Sequence, residues 1–267
     1  MAVSNPAHVA EHYVIAISGG SGSGKSTLAD ALVSEIGASF AMVLTVDAYY
    51  HDLSHLPLTE RERTNFDHPD ALDLALFEQH LLALKRGQTI RQPCYDFETH
   101  CRQAQTVEMI PRKWIVVEGI LVTATESLRD LYDQVIYVEA DNTLRWQRRL
   151  QRDQRDRGRD EASIARFWAR AEETFMTQGS MASQYADLIL SGEQALDVNV
   201  SQIMRAMPAW RSNSTGACQR RSPLGGNANG ISRNTWAPSG PTVADTVPLV
   251  VRIVGSDSAP SDTAGWS

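Results

Sequence analysis

The chain has 267 residues, of which 42% are hydrophobic and 21% charged, and its formal net charge is −7. That length allows one α/β domain with a full core and an additional segment. The acidic charge argues against binding to nucleic acid or an anionic membrane, and no apolar run is long enough to span a bilayer. Three cysteines at no metal-like spacing, with no signal peptide after Met1, predict a cytoplasmic protein with reduced thiols.

The first predicted elements are a strand at 13–18, a glycine-rich loop and a helix at 27–36. The loop fits G-x-x-x-x-G-K-[ST], the phosphate-binding pattern, and its lysine is one of only three in the chain. Glycines let backbone N–H groups approach phosphate oxygens, the lysine adds a point charge, and the next hydroxyl is placed to ligate Mg²⁺. The predicted phosphate-binding residues are Gly19, Gly20, Ser21, Gly22, Ser23, Gly24, Lys25, Ser26 and Thr27.

A second buried strand is predicted at 40–46 and is followed by Asp47. A carboxylate at the carboxyl end of a strand, beside a phosphate loop, lies where open α/β sheets bind ligands. The structural alternative is an aspartate that caps a turn. The polar stretch at 51–70 predicts a functional or mobile loop, and the leucine spacing at 71–86 predicts a helix that ends at Gly87.

A two-stranded ribbon is predicted at 89–110, with Tyr95, Phe97 and His100 near its middle. These side chains suit stacking on a flat ring and hydrogen bonding to its edge, and packing against the domain is an equal alternative. A third buried strand at 114–119 carries Glu118. An acid in that position is typical of the Walker B element, which holds Mg²⁺ or its water.

A fourth strand at 135–139 precedes a helix that is dense in arginine between 145 and 159. A solvated helix face is the structural interpretation of such a charge run. Arginines on a hinged segment beside a phosphate loop could instead close over the γ-phosphate, as arginine fingers do. The spacing predicts Arg152, Arg155 and Arg159 near one face, and Gly158 predicts a break or cap. Helices at 161–176 and 195–207, with a strand at 186–190 between them, complete the pattern.

The composition changes at Pro208. The last 60 residues contain no lysine, no glutamate and six of the eleven prolines, which predicts a disordered tail. An apolar run at 247–254 could pair as a strand. We therefore expect an N-terminal extension (1–12), one α/β domain (13–207) and a tail (208–267). The expected fold is a P-loop NTPase-type, mostly parallel five-stranded sheet flanked by helices, with the ribbon and an arginine-rich lid over the site.

Several stretches resemble uridine kinases (uridine–cytidine kinases) in order and spacing, over about residues 13–207. The phosphate loop alone occurs in many folds, whereas the stretches N-F-D-H-P-D-A and P-x-Y-D-F-x-x-H-x-R are far more specific to this family. The matching stretches are G-G-S-G-S-G-K-S-T, D-A-Y-Y-H-D-L-S-H-L, N-F-D-H-P-D-A, P-C-Y-D-F-E-T-H-C-R, V-V-E-G-I-L, R-R-L-Q-R-D-Q-R-D-R-G-R and Q-Y-A-D-L-I-L.

The resemblance implies transfer of the γ-phosphate of ATP or GTP to the 5′-hydroxyl of uridine and cytidine. It implies that Asp47 is the general base and that Ser26 and Glu118 hold Mg²⁺. It also implies a tetramer with feedback inhibition by UTP or CTP. The remaining implied roles are ribose binding by Asp67 and Arg149, pyrimidine contacts by Tyr95, Phe97 and His100, pocket lining by Phe66 and Tyr50, phosphate contacts by Arg152 and Arg157, and a nucleoside contact by Arg159.

The chain departs from the family pattern in two places. Where the family has a Gln-Tyr pair that helps to hold the base, this chain has 166–168 with the sequence Arg-Phe-Trp. A proline-containing stretch before the Tyr-Ala-Asp element is replaced by 179–183. Two alternatives remain open: a related kinase that phosphorylates another hydroxyl, as phosphoribulokinase or pantothenate kinase does, and a catalytically silent nucleotide-binding protein.

Overall fold

A computed structural model of the protein describes residues 12–208 and the pair 253–254. Five parallel strands form the central sheet, and three antiparallel strands form a second, smaller sheet. The strands in chain order are β1 (Tyr13–Gly19), β2 (Ala41–Thr45), β3 (Ile90–Asp96), β4 (Cys101–Met109), β5 (Trp114–Glu118), β6 (Gln134–Glu139), β7 (Leu188–Ser191) and β8 (Ile253–Val254).

The central sheet has the strand order β2-β5-β1-β6-β7, and every neighbouring pair is parallel. The central strands β1 and β5 are buried along almost their whole length, as expected for strands covered on both faces. In the register of the sheet, Glu118 lies beside both Ile17 and Thr45. The carboxyl ends of β1, β2 and β5 therefore meet at one edge, and the predicted five-stranded parallel sheet is confirmed.

Helices flank this sheet. They are α1 (Lys25–Ile36), α2 (Leu58–Arg61), α3 (Leu74–Lys85), α4 (Glu126–Arg129), α5 (Asn142–Arg157), α6 (Glu161–Thr174) and α7 (Leu196–Ala206). The fully buried Phe77, Leu81 and Leu84 of α3 join one apolar cluster with Val14 and Ala16 of β1. Helix α1 contacts β1, β2, β5 and α7. The core thus fixes the sheet edge at which the phosphate loop emerges.

Two helices are shorter than their apolar spacing predicts. The helix predicted from residue 71 begins at Leu74, because Asp73 caps it by accepting a hydrogen bond from the Leu76 N–H, at 3.1 Å. The buried Leu72 follows a 3₁₀ turn and reaches the core from outside the helix. The helix predicted to reach residue 176 ends at Thr174 and continues into a π-helical turn at Phe175–Gly179.

The arginine-rich helix α5 ends at Arg157, because Gly158 adopts a left-handed φ of 59° and its N–H closes onto the Asp153 carbonyl. The expectation that Arg159 shares a helix face with Arg152 and Arg155 is therefore wrong. Arg159 lies beyond the cap and turns back toward Asp153, to which its backbone N–H also donates a hydrogen bond, at 3.2 Å.

The predicted ribbon is confirmed as β3 and β4, and the two residues of β8 pair antiparallel with Val107 and Thr106 of β4. The rest of the predicted tail beyond Pro208, and the predicted N-terminal extension before His12, lie outside the described residues. Within the described part of the chain, no helix is both long and apolar enough to cross a bilayer.

Candidate functional site

The phosphate loop connects β1 to α1 and takes backbone angles that favour glycine. Gly22 has a φ of 79° and Gly24, the N-cap of α1, has a φ of 100°. Lys25, the first residue of the helix, is only 5% exposed. The N-terminus of α1 and a buried ammonium group therefore face the same site, which is the arrangement that binds phosphate groups.

Two arginines of α5 hold this loop from behind. Arg145 donates from Nε to the Ser21 carbonyl at 3.1 Å, and Arg148 donates to the Ser23 carbonyl at 3.3 Å. A Cβ on Gly20 would lie 2.5 Å from the Arg145 guanidinium, so a larger residue at this position would displace that guanidinium. These contacts engage two loop carbonyls, and the Ser23 N–H donates within the loop to the Gly20 carbonyl at 3.1 Å. The sequence did not reveal these contacts, since both arginines belong to a run that resembles a solvated face.

Glu118 lies at the end of β5 between two hydroxyl groups. Its Oε2 accepts a hydrogen bond from Ser26 Oγ at 2.8 Å, and its Oε1 accepts one from Thr45 Oγ1 at 2.6 Å. One carboxylate with one hydroxyl is a donor set that suits Mg²⁺, since kinase sites hold this ion with one or two carboxylates and the substrate phosphates. Ser26 and Glu118 were predicted from the sequence. Thr45 was not, because its contact with Glu118 depends on the register in which β2 pairs with β5.

Asp47 lies in a 3₁₀ turn, Val46–Tyr49, immediately after β2. Its N–H donates to Thr45 Oγ1 at 3.3 Å, which joins the turn to the Glu118 cluster. Within residues 12–208, the half-buried Asp47 carboxylate has no hydrogen-bond donor and no ion-pair partner. Its charge nevertheless acts on the pKa values of Asp67 and Arg157. The carboxylate is therefore close to the pocket described next and is not engaged in capping.

All eight side chains predicted to bind the nucleoside line one cavity. They are Tyr50, Phe66, Asp67, Tyr95, Phe97, His100, Arg149 and Arg159. Ser21 of the phosphate loop, Arg152, Arg157 and Phe167 also line it. A second, larger cavity follows the phosphate loop and the start of α1 and reaches Gln194 and Asn199. Arg152 lines both cavities, so it stands at their junction.

Aromatic rings form the walls of the smaller cavity, which we call the acceptor pocket. Phe66 and His100 stack with their ring centroids 4.6 Å apart and 15° between the ring planes. Tyr95 lies 5.1 Å from Tyr50 and 5.3 Å from Phe97, again between ring centroids. His100 is 3% exposed and has a φ of 55°, a strained angle of the kind that clusters at functional sites.

The polar groups of the acceptor pocket are perturbed by burial. Burial raises the pKa of Asp67, against the opposing effect of the Arg149 guanidinium. Burial, and after it the charge of Arg159, lower the pKa of His100 to about 4, so the imidazole is neutral near pH 7. The Tyr95 hydroxyl and the Nε and Nη1 atoms of Arg149 are buried without a hydrogen-bond partner among the described residues. Such groups are costly unless a ligand satisfies them.

Phe167 of α6 is the one wall residue for which the sequence offered no role. Two guanidinium groups stack on its ring, that of Arg159 at 4.4 Å and that of Arg170 at 4.9 Å from the ring centroid. Arg170 also donates to the carbonyls of Arg63 and Glu62, at 2.7 and 3.1 Å. Helix α6 is thereby attached to the loop that carries Phe66. The departure from the family pattern at 166–168 thus lies in the wall of the acceptor pocket.

Comparison with known proteins gives a consistent picture. A family model described as Phosphoribulokinase / Uridine kinase family matches residues 14–199. The chain is 41% identical over 201 residues to a uridine kinase of Chloroflexus aurantiacus, covering 73% of this chain and 96% of that relative. It is 37% identical over 199 residues to a uridine kinase of Clostridium novyi, with coverages of 73% and 96%.

A solved phosphoribulokinase from Rhodobacter spheroides shares the fold with a TM-score of 0.52 and 16% identity, covering 68% of this chain and 70% of that one. The family match spans both cavities, from β1 to α7.

Proposed function

Because this chain belongs to the phosphoribulokinase and uridine kinase family, we propose that it transfers the γ-phosphate of ATP or GTP to the 5′-hydroxyl of uridine or cytidine, yielding UMP or CMP. One observation carries the proposal. An aromatic pocket whose Tyr95 and Arg149 have polar atoms without a hydrogen-bond partner among the described residues adjoins a phosphate loop, and the Asp47 carboxylate is near enough to raise the pKa of Asp67 in that pocket.

On the donor side, the loop N–H groups and Lys25 bind the β- and γ-phosphates. Ser26 and Glu118 hold Mg²⁺, which neutralises charge on the phosphate oxygens when it is bound. Thr45 keeps the Glu118 carboxylate oriented toward Ser26. The donor base occupies the larger cavity near Gln194.

On the acceptor side, Asp47 accepts the proton of the 5′-hydroxyl as this oxygen attacks the γ-phosphorus. A ribose hydroxyl is too weak an acid to ionise by itself, so a carboxylate within hydrogen-bond reach is required. Asp67 and Arg149 bind the ribose hydroxyls. Arg149 supports this role, because neither its Nε nor its Nη1 makes a hydrogen bond to the described residues, Nε being 3.6 Å from Asp153 Oδ2.

The pyrimidine ring lies among Tyr95, Phe97 and His100, with Phe66 and Tyr50 behind them. A neutral imidazole has one donor and one acceptor nitrogen, which suits the edge of uracil and of cytosine alike. The unpartnered Tyr95 hydroxyl supplies a further polar contact. Arg159 faces the nucleoside.

Charge on the transferred group is stabilised by Arg152, which lines both cavities, and by Arg157, which lines the acceptor pocket. The Arg157 guanidinium stacks on Phe97 at 4.4 Å, and Arg159 donates to the Phe97 carbonyl at 3.3 Å, so this segment lies against the ribbon. A closed position excludes water and so suppresses hydrolysis of the donor.

A nucleoside kinase assay with the purified chain and ATP–Mg²⁺ tests the proposal. Uridine, cytidine, ribulose 5-phosphate and pantothenate are offered separately, and ADP formation is measured for each. We expect turnover with uridine or cytidine and none with the other two acceptors. Turnover with ribulose 5-phosphate or pantothenate alone identifies another kinase of the family, and no turnover with any acceptor supports a silent nucleotide-binding protein.

Two further expectations belong to this proposal. Residues 13–207 form the catalytic domain, so a chain that ends at Met207 should keep the kcat of the full chain. The enzyme is a cytoplasmic homo-tetramer, which light scattering coupled to gel filtration tests directly.

A further inference from the structure

Asp153 is a fully buried carboxylate at the centre of four arginines. Its Oδ1 is 2.7 Å from Arg152 Nη2 and 3.6 Å from Arg157 Nη1. Its Oδ2 is 3.4 Å from Arg159 Nη1 and 3.6 Å from Arg149 Nε. Each carboxylate oxygen therefore serves two guanidinium groups, and the Asp153 side chain is 0% exposed.

These four arginines are also the four that line the acceptor pocket. Three of them, Arg149, Arg152 and Arg157, lie on α5, whereas Arg159 follows the glycine that ends the helix. The spacing of four residues along the helix brings Arg149 and Arg157 to Asp153, but it does not account for Arg152 or Arg159. The shared carboxylate is the feature that joins all four.

The electrostatics of the cluster agree with a charged centre. Burial raises the pKa of Asp153, but the charges of Arg157, Arg152 and Arg149 outweigh it and hold that pKa below its ordinary value. Burial lowers the pKa of Arg157 to about 10. The four cations share the Asp153 carboxylate and also feel the charges of Asp47 and Asp67, so an excess of positive charge remains, which a transferring phosphoryl group would balance.

We propose that Asp153 is a positioning residue, whose carboxylate aims the arginine cluster at the reacting phosphate and nucleoside without touching either. This inference rests on the proposed function. Breaking a buried ion pair by removing one partner leaves the remaining charges uncompensated. Without the Asp153 charge, the arginines repel one another, and their guanidinium groups no longer point together at the phosphate whose transition-state charge they stabilise.

The test compares Asp153→Asn with Asp130→Asn in the full chain. Asp130 is exposed at the end of α4 and lines neither cavity, so the control makes the same change in charge at the surface, away from the site. We expect Asp153→Asn to lower kcat at least 100-fold, while the Kd for Mg²⁺–ADP stays within threefold. Asp130→Asn should stay within twofold of wild type in both quantities.

Measuring both kcat and the Kd for Mg²⁺–ADP distinguishes a positioning role of Asp153 from a purely structural one. A purely structural role would weaken ADP binding and kcat together, and that outcome overturns the proposal, as does a kcat for Asp153→Asn within fivefold of wild type. The wild-type rate with uridine decides the proposed function separately, because the variants are compared on whichever acceptor the wild type phosphorylates.

If Asp153→Asn does not fold, a second comparison replaces it. The double variant Arg152→Gln/Asp153→Asn removes one charge of each sign, so its net charge is that of wild type, and it is compared with Arg152→Gln alone. We expect the double variant to be at least tenfold slower in kcat, because three arginines lose their shared partner. Equal rates would show that Asp153 serves Arg152 only and would overturn the proposal.

Discussion

Replacing Arg149 by methionine should stabilise the ligand-free protein and abolish strong nucleoside binding. Arg149 is 5% exposed, and its Nε and Nη1 atoms have no hydrogen-bond partner among the described residues. A buried unsatisfied donor costs about 1–3 kcal/mol, so two of them cost at least about 2 kcal/mol. Methionine fills much of the same apolar volume and carries no charge that must be desolvated.

The loss that opposes this gain is the ion pair with Asp153 at 3.6 Å. Asp153 keeps three arginine partners, so we assign the lost pair about 1 kcal/mol, within the range for ion pairs that leave no charge isolated. The free energy of unfolding should therefore rise by about 1 kcal/mol. Two hydrogen bonds from a charged group to ribose hydroxyls are worth about 3 kcal/mol, so the Kd for uridine should rise about 100-fold.

Urea unfolding without ligand and calorimetric titration with uridine measure the two effects. Arg155→Met is the matched control, because Arg155 is exposed and pairs only with the neighbouring Asp156 among the described residues. Both quantities should remain at wild-type values in that control. A fall of more than 1 kcal/mol in the unfolding free energy of Arg149→Met would show that the buried guanidinium stabilises the ligand-free protein, and an unchanged Kd for uridine would show that Arg149 does not bind the nucleoside.

Three other predictions follow from single contacts. Asp47→Asn should lower kcat by about 10²–10⁴-fold, with the Kd for ADP and the melting temperature almost unchanged, since the carboxylate bonds to no described residue. Thr45→Val should raise the Mg²⁺ concentration for half-maximal rate about tenfold, because Thr45 orients Glu118. The native pKa of His100 is about 4 against 6.5 in the unfolded chain, so unfolding free energy should rise by about 2 kcal/mol from pH 5 to pH 7, and His100→Gln should remove that rise.

Each of these has a clear contrary result. Wild-type turnover in Asp47→Asn would show that another group accepts the proton. An unchanged Mg²⁺ requirement in Thr45→Val would separate the hydroxyl from the metal site. An equal pH dependence in His100→Gln and wild type would mean that His100 binds protons equally in the native and unfolded states.

The central strands and the phosphate loop were predictable because local pattern determines them. Apolar runs of five and four residues define β1 and β5, and a glycine-rich loop before a helix is informative by itself. The end of α5 was also predictable at Gly158. The strand order of the sheet was not, since it depends on which strands pack side by side rather than on any one segment.

The charges of α5 show where sequence reasoning reaches its limit. Arg145, Arg149 and Asp153 are buried, although a run of alternating charge is typical of a solvated face. Their spacing of four residues places them on one side of the helix, but only tertiary packing shows that this side faces the phosphate loop and the acceptor pocket. Phe167 was missed for the same reason, because an aromatic residue in an amphipathic helix usually predicts core packing.

Phosphorus NMR of the product shows which hydroxyl of uridine receives the phosphate. Uridine is incubated with ATP–Mg²⁺ and the wild-type chain, and 5′-deoxyuridine is incubated in parallel. We expect a phosphomonoester whose phosphorus couples to the 5′-methylene protons of uridine, and no new ester from 5′-deoxyuridine. A phosphate on the 2′- or 3′-hydroxyl, or release of inorganic phosphate without any nucleotide product from uridine, would contradict this expectation.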